Sequence, residues 1–137
     1  MRMIVNYYAQ LTPTDTDPMD IDCDVDLDGN PVVVLEDDVV YRCDGEHGSF
    51  SMSYKDTTEM LGKLRELADG GDTFSEFLEL GRYGELREDA CEKLAHDFIH
   101  MAGAFSRLPH RGRQMTYYNQ MRAAFESGSN SGAVVVE

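Results

Sequence analysis

The chain is poor in cysteine and lysine. Its three cysteines, Cys23, Cys43 and Cys91, are far apart and form no CxxC pair. An odd, scattered set excludes a disulfide framework and a closed Cys-rich zinc site, so buried free thiols are expected. No apolar run approaches the roughly 20 residues of a membrane-spanning helix. MRMIVNYYAQ has no extended apolar core ahead of a small-residue cleavage site, which excludes a secretory leader and makes a cytoplasmic protein the expectation. Also missing are a GxGxxG turn, a Walker loop, a GxSxG elbow and any internal repeat. No catalytic residue and no cofactor are therefore expected.

What is abundant is acid. Twenty-six Asp and Glu stand against twelve Lys and Arg, a net charge of −14 over 137 residues, yet 42% hydrophobic residues mark a globular chain with one real core. Residues 1–54 hold ten Asp and two Glu against Arg2 and Arg42, a balance of −10. Residues 98–125 hold no acid but carry Arg107, Arg111, Arg113 and Arg122. Such a polarised field opposes direct binding to nucleic acid or to an anionic membrane and favours a cationic partner.

Periodicity divides the chain. Met3–Leu11 is β-branched and aromatic, and Asp20–Leu27, Val32–Glu36, Val39–Cys43 and Ser49–Tyr54 read as further strands, joined by turns at Asp28-Gly29-Asn30, Asp37-Asp38 and Asp44–Gly48. The period then becomes helical. Asp56 or Thr57 caps a helix that ends at Gly70-Gly71, and a short helix follows Asp72 or Thr73. Cys91, Leu94, Phe98, Met101, Phe105 and Leu108 make one apolar stripe over 85–108, stopped by Pro109. A last helix covers about Arg113–Glu126. The fold class is α+β: an N-terminal antiparallel meander of four or five strands, packed on one face by three or four C-terminal helices. Residues 1–126 form a single domain, with the acidic sheet in 1–54 and the helical part in 55–126. Residues 127–137 read as a flexible Ser/Gly tail with a strand-like end, AVVVE.

DIDCDVDLDGN, residues 20–30, is the most unusual stretch, with Asp20, Asp22, Asp24, Asp26 and Asp28 at every second position. On a strand with Ile21, Cys23, Val25 and Leu27 turned inward, the five carboxylates would stand about 6.6 Å apart. Each neighbouring pair would then repel by about 0.6 kcal/mol in water. Asp24-x-Asp26-x-Asp28-Gly29 also matches the start of an EF-hand loop, but position 12 is Leu35 and the flanks are not helical, which disfavours calcium.

Other chemistry is weaker. Glu92, His96 and His100, four apart, share a helix face and are the candidate metal ligands, although an exposed face is the simpler reading and there is no HExxH glutamate. Cys91 lies on the core stripe, and His47 has no legible partner. His110-Arg111-Gly112-Arg113 with Tyr117 and Tyr118 mixes cations and aromatics as single-strand binders do, against the repulsion of the whole chain. Few lysines and more Asp than Glu also suit a halophile's solvated surface, but the clustering of acid in 15–46 argues for a local purpose.

In charge and size the chain resembles phage-encoded DNA-mimic inhibitors, including some anti-CRISPR proteins, and the immunity proteins of nuclease toxins. The resemblance has no motif, so no residue carries over. The implied function is that of a small, non-catalytic inhibitor of a basic, nucleic-acid-binding protein. Its partner-binding residues would be Asp20, Asp22, Asp24, Asp26 and Asp28, extended by Glu36, Asp37, Asp38, Asp44 and Glu46. The alternatives are a metal-dependent enzyme built on Glu92, His96 and His100, with Asp97 or His47 nearby, and a homodimeric assembly protein whose acidic sheet meets Arg107–Arg113 of a second copy.

Overall fold

The computed structural model describes residues 2–21, 24–26, 28–80, 83–109 and 112–137. Seven strands and five helices follow the order β1 (Met3–Tyr8), β2 (Leu11–Pro13), β3 (Val32–Val34), β4 (Val40–Cys43), β5 (His47–Met52), α1 (Tyr54–Ala68), α2 (Ser75–Leu78), β6 (Gly84–Arg87), α3 (Glu88–His100), α4 (Ala102–Arg107), α5 (Gln114–Gly128) and β7 (Ala133–Val136). The class is α+β with antiparallel sheets, as the periodicity implies.

The strands do not form one meander. They make a four-stranded sheet in the order β5-β1-β7-β6 and a three-stranded sheet in the order β2-β4-β3. One ribbon passes through both: β1 pairs with β5 in the large sheet, and their continuations β2 and β4 pair in the small one. At the crossing, Ala9 and Gln10 oppose Asp44, Gly45 and Glu46, since Tyr8 faces His47 while Leu11 faces Cys43. That extra residue bends the ribbon as a β-bulge does. Gln10 takes a positive φ of 54° there. The bend is tied by Ala9 N–H to Glu46 O at 2.7 Å and Asp44 N–H to Gln10 O at 3.0 Å.

Alternation along the large sheet decides what each face meets. Met3, Val5, Met52, Leu86, Val134 and Val136 turn to the helices and join Met60, Leu64, Phe98, Tyr118, Met121 and Phe125 in the main core. Phe98 lies at its middle, with ring centroids 4.8 Å from Phe74, 4.8 Å from Tyr118 and 5.4 Å from Phe125. Ala9, Val32, Leu35, Val40, Cys43 and Ala133 are buried outside the main cluster.

Two expectations are corrected. Residues 127–137 are not a flexible tail. α5 runs on to Gly128, and AVVV becomes β7, paired on one side with β1 and on the other with β6. The Ser/Gly composition of 127–132 is a tight reversal: Gly132 passes so close to the backbone of Tyr8 that a Cβ would lie 1.8 Å from its carbonyl oxygen. The long helix expected over 85–108 is also divided. Glu85-Leu86-Arg87 has period two, with Leu86 inward, and forms β6 before α3 begins.

Because β7 is an interior strand, removal of residues 133–137 should abolish cooperative thermal unfolding, whereas loss of a flexible tail would leave the melting curve unchanged; circular dichroism melts of the truncated and full chains decide between these.

Candidate functional site

The described residues of Asp20–Leu27 do not form the expected strand. Asp17 accepts a hydrogen bond from Met19 N–H at 2.9 Å and opens a single 3-10 turn, Pro18–Asp20. Asp24 takes a positive φ of 64°, and Val25 makes only an isolated bridge to Pro31 while remaining 38% exposed. Asp26 accepts from the amides of Asp28 and Asn30, each at 2.9 Å, and from the Asn30 side chain at 3.3 Å. Aspartate competes with the strand ladder here, because its short carboxylate satisfies nearby amides and so favours turns. The turn expected at Asp28–Asn30 is present, with Gly29 at φ 80°, but its first arm is a loop. Asp22, Cys23 and Leu27 lie outside the described residues.

The ten partner-binding candidates therefore separate by chemistry. Three are held within the molecule. The amide bonds from Asn30 and Asp28 keep the Asp26 carboxyl below its ordinary value of 3.8. Asp37 is lowered by the Tyr41 hydroxyl, which donates to it at 2.6 Å, and by the nearby Arg87. Asp44 is lowered by Arg42, which donates through Nε at 2.7 Å, and by the Thr12 hydroxyl at 2.9 Å. Asp20, Asp24, Asp28, Glu36, Asp38 and Glu46 are exposed. Their side chains make no hydrogen bond or ion pair among the described residues. All six belong to the small sheet's connections: the loop before β3, the β3–β4 turn and the bulged crossing.

A clasp that the sequence reading missed fixes this acidic lobe to the large sheet. Glu85 is buried on β6, and its Oε2 accepts from Glu36 N–H at 2.7 Å while Oε1 pairs with Arg87. Arg87 also donates to the Tyr41 hydroxyl at 3.0 Å and stands 3.7 Å from Asp37. The alternation of Glu85 and Arg87 around Leu86 was the available signal, submerged in the apolar stripe that follows it.

The metal candidates Glu92, His96 and His100 are all exposed on α3, on one helix face. The two imidazoles stack with centroids 6.2 Å apart. Asp97, between them, turns away to accept from Phe74 N–H at 3.0 Å and to pair with Lys93 at 2.8 Å. Among the described residues no three His, Cys, Asp or Glu side chains converge to hold a metal ion. His47 is exposed on β5. Burial pushes the Cys91 thiol up to about 12, which makes it inert, and Cys43 is buried with its Sγ 3.2 Å from Ala9 O. Of the basic patch, Arg107 and Arg113 are exposed, while His110 and Arg111 lie outside the described residues.

No described helix is long and apolar enough to cross a membrane. No family model matches the chain, and no curated protein and no solved structure is significantly similar to it.

Asp37 and Asp44 have depressed folded-state values, so their contribution to stability is complete above the ordinary 3.8 and disappears as the pH falls through the folded values. The double variant Asp37→Asn, Asp44→Asn should melt below the wild type at neutral pH, and the gap should narrow as the pH falls below 3.8. Parallel melting temperatures across that range would show that neither carboxylate is held by its neighbours.

Proposed function

We propose that this protein is a small, non-catalytic inhibitor that binds a basic, nucleic-acid-binding surface of another protein, as phage counter-defence and nuclease-immunity proteins do. The supporting observation is the set of six exposed carboxylates without side-chain partners among the described residues, around the small-sheet lobe: Asp20, Asp24, Asp28, Glu36, Asp38 and Glu46. The reading does not depend on a regular row of charges, since the described residues of 20–28 are not in a strand. It depends on the density of uncompensated charge on a lobe that the Glu85–Arg87–Tyr41 clasp already holds in place.

That arrangement suits electrostatic capture. Uncompensated carboxylates on a preorganised lobe raise the encounter rate with a Lys/Arg-rich cleft and lose their effect as salt rises. Asp26, Asp37 and Asp44, engaged in the lobe's own turns and clasp, would shape the surface and contribute less to the contact. Exposed ion pairs are individually weak, so the contact needs several of them acting on one cationic surface.

The test is affinity capture at low salt with the wild type and with a variant carrying Asn or Gln at the six free positions. The wild type should retain a basic partner that elutes as salt rises and is displaced by added duplex DNA or by RNA. The variant should hold that partner on the order of tenfold or more less tightly, because rim charges act mainly on capture and its salt dependence. Equal retention by both proteins would remove the acidic lobe as the interface.

A further inference from the structure

A second surface has the opposite character. The start of β1, the β5–α1 junction and the first turn of α5 enclose a shallow groove of about 600 Å³, lined by Arg2, Ser51, Ser53, Tyr54, Arg113 and Tyr117. No acidic side chain lines it, in a chain with twenty-six of them. Elsewhere Arg42 pairs with Asp44, Arg87 with Glu85, Arg122 with Glu126 and Lys93 with Glu76 and Asp97, while Lys55, Arg65 and Arg107 make no ion pair with a described residue and line no part of the groove. Arg2 and Arg113 make no ion pair with a described residue.

The two guanidinium groups are nevertheless positioned. Arg2 donates through Nη2 to Ser51 Oγ at 3.0 Å, which leaves its other N–H donors open. Arg113 lies over the ring of Tyr117, 5.4 Å from the centroid, and its N–H groups donate to no described side chain. Ser53 caps α1 by accepting from Asp56 N–H at 3.2 Å, and its own hydroxyl proton remains available. Two helices begin at the groove: α1 at Tyr54 and α5 at Gln114, the latter with no side-chain cap and no acid in its first turn. The start of α1 is capped by Ser53 and carries Asp56 in its first turn, so it is the uncapped start of α5 that adds to the two arginines. Tyr54, 58% exposed, presents an open phenol ring on the wall.

We propose that this groove binds a mononucleotide-class ligand, its phosphate monoester held between Arg2 and Arg113 and its planar ring stacked on Tyr54. Paired guanidiniums and hydroxyl donors match a tetrahedral oxyanion, and an exposed aromatic ring matches a base. A net charge of −14 repels a long polyanion at range, whereas a single phosphate meets mainly the local field.

Isothermal titration of the full chain with AMP, ribose 5-phosphate, adenosine and inorganic phosphate tests the assignment. AMP should bind saturably and adenosine should not. Arg2→Gln and Arg113→Gln should each weaken AMP by about tenfold or more, with unchanged melting temperatures. Tyr54→Ala should weaken AMP and leave ribose 5-phosphate unaffected. Arg107→Gln, an exposed change outside the groove, should alter nothing. Absence of AMP binding at millimolar concentration, or unchanged affinity in Arg113→Gln, would overturn the site. Equal affinity for AMP and inorganic phosphate would overturn the stacking of the ring.

Discussion

The architecture depends on one insertion, that of β7 between β1 and β6. Val5 faces Val136 on one side, Leu86 faces Val134 on the other, and all four side chains turn to the helices. Interior strands lose backbone pairing on two sides when removed and leave buried amides without partners, a larger penalty than the few apolar side chains alone. β6 reaches the large sheet only through β7, and β6 carries Glu85 and Arg87. The clasp under the acidic lobe is therefore set by the same four-residue strand that completes the main core.

The distribution of charge has a local logic. Aspartates followed closely by free amides, such as Asp17 and Asp26, turn the chain on itself; Asp37 and Asp44 neutralise a nearby arginine or accept from a hydroxyl. Asp20, Asp24, Asp28 and Asp38 remain in solvent around the small sheet. Arginine divides in the same way. Arg87 is satisfied three times over, while Arg2 and Arg113 face a groove from which acid is missing. Two surfaces thus differ in sign: exposed acid gathers around the small-sheet lobe, and Arg2 and Arg113 line a groove with no acid.

Much of this could be read from residue order, and the failures have physical causes. The helices α1 and α5, the stripe through Cys91, Leu94 and Phe98, and the turns at Gly29 and Asp38 follow from spacing and from residues that tolerate positive φ. The alternation in Asp20–Leu27 misled because period two is only half of a strand signal; the other half is a backbone free of competing side-chain acceptors, and aspartate supplies such an acceptor at each step. β6 was obscured by length, since four residues give too few repeats to distinguish from a helix end, while the strand-like AVVVE was legible but not its place between β1 and β6. The cationic groove was illegible because Arg2, Ser53 and Arg113 come from three distant parts of the chain.

The pairing of β1 with β7 also lays residues from opposite ends of the sequence side by side. Ile4 N–H donates to Glu137 O at 2.9 Å, and Glu137 N–H donates to Ile4 O at 2.8 Å. A short linker across that gap, with a new opening at the exposed turn after α1, would be a circular permutation without change to any strand. It would convert the most distant pairing of the fold into a neighbouring one, and topology of lower contact order folds faster.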